Sequence, residues 1–395
     1  MDKIATRVEA LLARMTLAEK VGQLMQLDGS KMPLDETIGR MQAGSLLHLN
    51  GTVADEAIRY ARETRLGIPV LLADDGIHGH SFWPGATIFP TQLAMACSWN
   101  PQLLEEVARV TAREMRLTGL KWTFSPLLCI TRDLRWGRVG ETFGEDPHLI
   151  GELALAMIRG YQGRGLEDPE SVLACAKHYA GYSETQGGRD ASEADLSRRK
   201  LRSWFLPPFE RAARNGCMTF MTGYQSMEGV PSTANHWLLT GVLKEEWGFG
   251  GIVVTDYDNV GRMVHEQRVC ADYAEAAALA VKSGNDMMMQ TPQFFEGAQE
   301  AVARGLLTEA EIDAPVRRVL ALKFRLGLFE DPGFSQPERI QAVMACPAHR
   351  QTNLEIARQS LVLLRNEGIL PLAPAPRKLA VIGPNADDPL SQLGD

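Results

Sequence analysis

The sequence lacks the runs and motifs by which several large protein classes are recognised. No stretch of about 18 consecutive apolar residues occurs, so no transmembrane helix is expected. The six cysteines (Cys97, Cys129, Cys175, Cys217, Cys270 and Cys346) form no C-x-x-C pair. They read as reduced, mostly buried thiols rather than a metal site. Neither G-x-G-x-x-G nor G-x-x-x-x-G-K-[ST] is present, which removes the glycine-rich loops that cradle phosphates. An H-E-x-x-H motif is missing too, and with it the clearest sign of a metal-dependent hydrolase. There is no long Lys/Arg run, and 41 basic against 49 acidic side chains leave a net charge of −8. That balance argues against a nucleic-acid or anionic-membrane partner. The N-terminus, "MDKIATRVEALLARMTLAEKVGQLMQL", has charges throughout and no apolar core before a cleavage site, so it does not read as a secretory leader. The expectation is a cytoplasmic protein. Ile4, Val8, Leu11, Leu12 and Met15 recur at helical spacing and predict an amphipathic surface helix.

What the chain does have is length and alternation. Its 395 residues exceed one ordinary core and argue for a large domain plus a piece of another. Short apolar runs predict strands at Ser45–Leu49, Pro69–Ala73, Trp122–Ser125, Leu173–Ala176, Met218–Met221, Ile252–Thr255 and Asp286–Met289. Between them, Pro101–Thr118, Pro147–Gly163 and Tyr273–Ser283 read as helices, two of them opened by a first-turn proline. Such alternation implies a parallel α/β sheet, either closed as a barrel or open. Polar residues end several strands, in "LLADDGIHG", "LACAKHY", "FMTGYQ" and "IVVTDYD". Functional groups spread over many strand C-termini favour a (β/α)8-type TIM barrel. That pattern fades after "LKFRLGLFEDP". The expected organisation is therefore a catalytic barrel over residues 1–330, a linker over 331–372, and the start of an incomplete second α/β domain over 373–395. Within the last two, a stretch near His349–Ser360 reads as a helix, Leu361–Leu372 as an apolar strand with a turn, and Leu379–Ile382 as a strand.

Carboxylates are the richest chemical signal. Asp74 and Asp75 end one strand, Asp256 and Asp258 another. "RWGR" (Arg135–Arg138) stands before Glu141, and Lys177-His178 follows the run "VLACA". Acids and bases converging on one rim suit a hydroxyl-rich ligand, because charged hydrogen bonds are strong and directional. Trp83, Trp136 and the tyrosines are candidates to stack on a sugar face. Each also has a plainer reading: an Asp after a strand often caps the next helix, and "RWGR" with Glu141 also suits a surface ion pair.

The ordered set "MTLAEKVGQL", "DDGIHG" with "ATIFPTQLAMA", "RDLRWGRVGETFGEDPHLIG", "AKHYAGYSETQGGRD", "TGYQSMEGVPS", "WGFGGIVVTDYDNV", "SGNDMMM", "LGLFEDP", "SLVLLRNEGILPL" and "LAVIGPNADDP" resembles glycoside hydrolase family three, the β-glucosidase/β-xylosidase family. The resemblance runs the length of the chain. It implies Asp256 as catalytic nucleophile and Asp75 as the acid gripping sugar hydroxyls. It implies Arg138, Lys177 and His178 as basic residues on the same ring, Tyr224 as the tyrosine beside the nucleophile, and Met221 as a neighbour. Arg138 and Lys177 would keep Asp256 anionic, and Asp258 reads as loop or cap. Adjacent strand residues face opposite ways, so Lys177 and His178 can share one sugar only if the backbone there is irregular. "KHYAGYS" has Ala180 and Tyr182 where the N-acetylglucosaminidase branch has proline and an acid/base histidine, which argues against that branch. Glu228 stands where many relatives have asparagine.

The implied activity is retaining, exo-acting hydrolysis that releases terminal β-D-glucose through a glycosyl-aspartate. A β-xylosidase, or a glucosidase of glucosylated natural products, is the alternative within the class; a non-catalytic carbohydrate-binding remnant is the alternative outside it. No cofactor and no metal are implied, and the partner is a small carbohydrate or glycoside. The acid/base is expected beyond residue 395, in a C-terminal domain or another subunit of a homo-oligomer.

Overall fold

The computed structural model describes residues 3–374 and 378–388. Ten strands occur among them: β1 Met25–Asp28, β2 Ser45–Leu47, β3 Leu71–Asp74, β4 Trp122–Thr123, β5 Cys175–Tyr179, β6 Thr219–Thr222, β7 Ser226–Met227, β8 Val230–Pro231, β9 Ile252–Val254 and β10 Met288–Met289. Two parallel sheets hold eight of them, in the orders β10-β1-β2-β3-β4 and β5-β6-β9, while β7 and β8 form a separate antiparallel pair. Isolated parallel bridges join the sheets at both edges: Trp122 to Leu173 and Leu127 to Lys177 on one side, Val254 to Met287 on the other. The strands thus follow one another in chain order around a (β/α)8-type barrel, as the polar strand ends predict, and its two seams are single bridges rather than full ladders.

Every residue of the eight parallel strands is buried. Ile252, Val253 and Val254 are wholly buried, as are Leu46, Ala73 and Met288. Helices cover the outside. Pro101–Leu117 and Pro147–Gln162 each have Pro in the first turn and an N-cap side chain, Asn100 and Asp146. Tyr273–Ser283 takes its cap from Asp272, which accepts from the Glu275 amide.

The N-terminal helix stops at Leu12 instead of running on, because Thr16 opens a second helix, Leu17–Gln23, with a reciprocal capping box to Glu19. β1 follows directly and has no counterpart among the expected strands. Its Gln26 breaks the apolar run; the side-chain Nε2 donates to Ser45 Oγ at 2.7 Å, while Oε1 is buried without a partner.

The segment expected as linker carries two helices: Pro347–Gln359, which answers the helix-like stretch near His349–Ser360, and Pro337–Val343, which has no counterpart among the expected elements. A buried carboxylate fastens them. Glu114, on the helix Pro101–Leu117, accepts from the Thr87 amide (2.7 Å), the Thr87 hydroxyl (2.7 Å), the Ala345 amide (2.9 Å) and His349 Nδ1 (2.7 Å). Burial pushes the Glu114 carboxyl up, but these bonds outweigh it and hold it below its usual value.

Beyond Gln359 the expected strands are not formed among the described residues. Residues 361–372 and 379–382 form no strand. Leu361, Leu364 and Ile382 are 81%, 92% and 89% exposed, so no sheet edge among the described residues covers them. A strand needs a partner for its amides and carbonyls, and here none is paired with it. Residues 375–377 and 389–395 of the expected second unit lie outside the described residues. Among the described residues no helix is long and apolar enough to cross a membrane.

Candidate active site

The C-terminal ends of the strands open into a cavity of about 540 Å³. Asp75, Arg138, Lys177, His178, Met221, Tyr224 and Asp256 all line it. The structure therefore brings together the seven residues that the family resemblance implies for the site.

Asp75 follows β3, and Lys177 on β5 donates to its Oδ1 at 2.5 Å. Lys177 and His178 both face the cavity because β5 is irregular. Its ladder with β6 shifts register between Lys177 and Tyr179, and the peptide joining Lys177 to His178 is cis. Tyr179, the next residue, turns away into the core against Phe209, Phe220 and Trp247. Arg138 arrives on the loop after β4 and holds Glu141 with two bonds of 2.8 Å. Its remaining Nη1 lies 3.4 Å from His178 Nε2. "RWGR" with Glu141 is thus an ion pair, but one on the cavity wall rather than the outer surface.

Asp256 follows β9. Its Oδ1 accepts from the Tyr257 amide at 2.7 Å, and its Oδ2 lies 3.4 Å from His178 Nε2. That Oδ2 is buried without a hydrogen-bond partner. Burial pushes the Asp256 carboxyl up, against the opposing pull of Arg138, the Tyr257 amide, Lys177 and the Tyr224 hydroxyl. Arg138 and Lys177 pull the carboxyl down, as expected of them, but burial outweighs that pull and the net shift is upward. The same burial, with the charges of Arg138 and Lys177, holds His178 well below the usual imidazole range, so the ring is neutral. Tyr224 is pushed up, first by burial and then by the Asp256 carboxylate.

Neither Asp256 nor Asp75 caps a helix. Asp258 precedes the helix Asn259–His265 but makes no capping bond. It accepts instead from Thr291 Oγ1 at 3.0 Å and lies 2.9 Å from His265 Nε2, a scaffold role. Neither tryptophan offered for stacking reaches the cavity. Trp136 is buried edge-on against Tyr182, and Trp83 packs by His80. Of the tyrosines offered with them, Tyr224 and Tyr257 do line it, beside Phe82 and Phe124.

A second polar cluster went unread in the sequence. Asp28, at the end of β1, is fully buried and lies 3.1 Å from His48 Nδ1, and it accepts from the Tyr257 hydroxyl at 3.2 Å. His48 reaches toward Asp74 on its other side, 3.9 Å away. Asp74 Oδ1 accepts from the Asp75 amide at 2.9 Å, and burial with the nearby Asp75 charge pushes its carboxyl up to about 8. The cluster joins the two arms of the cavity, Asp75 through Asp74 and Asp256 through Tyr257. The signal was partial: "MQLDG" ends in an acid, like "LLADD" and "IVVTD", but Gln26 interrupts its apolar run.

The one H-x-H spacing, His78-Gly79-His80, holds no metal geometry. His78 Nδ1 contacts the Phe89 carbonyl, and His80 Nε2 contacts Thr118 Oγ1. Among the described residues no group of three or more His, Cys, Asp or Glu is placed to bind a metal ion.

With this geometry in view, the relatives are informative. The sequence profile described as "Glycosyl hydrolase family 3 N terminal domain" matches residues 16–322. A "Periplasmic beta-glucosidase" of Salmonella typhimurium is 34% identical over 401 residues, 98% of this chain and 51% of that protein. A "Beta-xylosidase" of Formosa agariphila is 33% identical over 413 residues, 100% of this chain and 52% of that protein. Among solved structures, a β-glucosidase involved in saponin metabolism from intestinal bacteria superposes with a TM-score of 0.89 at 59% identity, covering 94% of this chain and 49% of that one. The chain spans about half the length of the relatives it matches.

Proposed function

The chain belongs to glycosyl hydrolase family 3, and on that footing we propose that it carries the sugar-binding, nucleophile-bearing part of a retaining, exo-acting β-glucosidase. The observation that carries this reading is Asp256: a buried carboxylate on the cavity floor with one oxygen held by a backbone amide and the other unpartnered. A retaining glycosidase needs such an oxygen beneath the anomeric carbon.

Asp75, Lys177, His178 and Arg138 are assigned to the hydroxyls of the terminal glucose. Met221 and Tyr224 bound the ring beside the nucleophile. Oδ2 of Asp256 attacks the anomeric carbon, the glycosidic C–O bond breaks, and the leaving oxygen takes a proton from a separate acid. Water then attacks the glycosyl-aspartate and frees glucose with retained configuration.

The cavity's other carboxylates, Asp75 and Glu141, are both engaged in ion pairs with Lys177 and Arg138. Neither is therefore a free acid able to protonate the leaving oxygen, the task of the second carboxyl in retention. We therefore assign the acid/base to a carboxylate outside residues 1–395, in a second α/β unit that begins near residue 373. β-Glucosidase and β-xylosidase both occur among the names of the relatives.

The test is trapping. Incubation with a 2-deoxy-2-fluoro-β-glucosyl fluoride, whose leaving group needs little acid help, is expected to add one glycosyl mass to the peptide holding Asp256. The xylosyl analogue is expected to label more slowly. Faster xylosyl labelling would transfer the assignment to β-xylosidase, and binding without any label would leave a carbohydrate-binding remnant.

A further inference from the structure

Arg138 reaches the cavity from a loop, not from a strand. Residues 133–141, after β4, carry one short helical turn, Val139–Glu141. The two bonds from Arg138 to Glu141 tie the guanidinium to that same loop and not to the barrel. Among the described residues, the hydrogen bonds that lead from this stretch to a distant part of the chain are Arg138 to His178 and Trp136 to Asp190. The second fixes the chain just before Arg138.

Asp190 lies on the segment that follows β5. Its Oδ1 accepts from two donors at once, the Trp136 indole N–H at 3.4 Å and the Tyr182 hydroxyl. Both rings are buried and meet edge-on at 5.2 Å between centroids. With Cys129 they form a small apolar cluster apart from the main core. A buried indole N–H or phenol needs a partner, and Asp190 serves both. The Arg138 guanidinium lies 5.7 Å from the centre of the Tyr182 ring, within cation–π reach. His178 and Tyr224 meet the same ring edge-on at 5.0 and 5.8 Å.

The segment is shaped to the loop along its length. Ser183 donates to the Ile130 carbonyl, and Arg132 pairs with Glu184, where the loop begins. Gly188 has a φ of +68°, and a Cβ there would lie 2.6 Å from the Arg135 carbonyl carbon and 2.7 Å from the Trp136 nitrogen. Backbone lies directly on backbone, and Asp190 closes the contact at its far end.

We propose that Asp190 is a positioning residue for Arg138: by accepting from Trp136 and Tyr182 together, it clamps the loop after β4 onto the segment after β5 and so sets the guanidinium in the cavity. The proposal rests on the reading of Arg138 as a sugar-holding residue and adds the device that places it. Asp190, Trp136 and Tyr182 line no part of the cavity, so their effect on a sugar passes through the residues they hold. His178 is fixed by its place in β5. Arg138 has no strand beneath it and depends on the clamp.

The test is a double-mutant cycle on the 395-residue chain, read by isothermal titration with glucose. Circular dichroism first checks each fold. Asp190→Ala is expected to weaken glucose binding about tenfold, the loss of one charge-assisted contact to the sugar. Asp190→Asn, whose amide oxygen accepts from both rings, is expected to regain most of it. Trp136→Phe removes the indole donor and keeps an aromatic ring; it is expected to weaken binding too, and it carries the cycle if Asp190→Ala does not fold. In an Arg138→Met background the same changes are expected to cost less than about twofold, because the contact they disturb is already gone. Equal losses in both backgrounds, no loss in either, or Asp190→Asn behaving like Asp190→Ala overturns the proposal. A second readout needs no sugar. The Arg138 Nε–H, bonded to Glu141, is expected to give a slowly exchanging ¹H–¹⁵N resonance, assigned with Arg138→Lys, and to exchange faster in Asp190→Ala. An unchanged rate overturns the proposal. A chain that binds no glucose yet loses this protection in Asp190→Ala would sink the sugar-holding reading alone.

Discussion

At the scale of single residues, the cavity holds carboxyl groups of opposite temper. Asp28 is held below its usual range: burial pushes it up, but Ser30 and His48 outweigh that. Asp74 lies on the far side of the same histidine and is pushed up to about 8 by burial and by Asp75. The sign of its effect on stability follows from linkage. A carboxyl whose folded pKa is raised favours the folded state fully below the unfolded value near 4, and loses that contribution as pH rises through about 8. Asp74→Asn keeps an oxygen for the Asp75 amide and removes the charge. It is expected to flatten this decline, gaining on the order of a few kcal/mol over wild type between pH 5 and pH 8. Urea denaturation at the two pH values measures it; an equal difference at both would assign the raised pKa to nothing at Asp74. Such environments cannot be read from sequence. Asp74 and Asp75 are adjacent identical letters, and only the fold makes one a buried neutral acid and the other an ion-paired one. The identities of the cavity residues were legible, because strand-end acids and bases stand out against apolar runs. His48 was not, since it belongs to no charged strand-end group.

At the scale of elements, close approach decides more than propensity. The helices Pro101–Leu117 and Pro147–Gln162 pack with Gly160 against the backbone of the first. A Cβ there would lie 2.2 Å from the Glu105 carbonyl oxygen and 2.7 Å from the Ala108 Cβ. Gly160→Ala gains up to about 1 kcal/mol of helix propensity. Overpacking of this kind costs about 1–3 kcal/mol, and with a backbone atom as obstacle the loss is expected to win. A lower denaturation midpoint with an unchanged slope would record it, and a rise would mean that the helices separate freely. Element type was legible from sequence where periodicity was clean, as in Tyr273–Ser283. It failed at β1, whose four residues follow a helix with no turn signal and include Gln26. It failed also for Leu361–Leu372, where apolar letters supply a strand's composition but no neighbouring edge supplies its bonds. The irregularity of β5 was inferable only as a geometric demand, that two adjacent side chains face one sugar, and not from any local motif.

At the scale of the whole molecule, the barrel and the helices after residue 336 are one packed body, and Glu114 is where they are joined. Its two carboxylate oxygens receive the amide of Thr87, on the loop that runs from Asp75 and Phe82 along the cavity mouth, and the amide of Ala345, between the last two helices. Asn353 adds a bond to the Ile88 carbonyl of the same loop, and Gln359 one to Asn100. Two amides distant in sequence thus share one acceptor group, and their solvent exchange is tied. An opening that draws Glu114 out frees both at once, so Thr87 and Ala345 are expected to show the same protection against deuterium. Glu114→Gln replaces one acceptor oxygen by a donor. It is expected to lower both protections together, while the Ile252 amide, bonded to Met218 inside the barrel, retains its own. Unequal protection in the wild type would mean that the mouth loop and the last helices open independently. If protection is equal, the exchange clock at Ala345, far from any sugar, reports how often the wall of the cavity lets go.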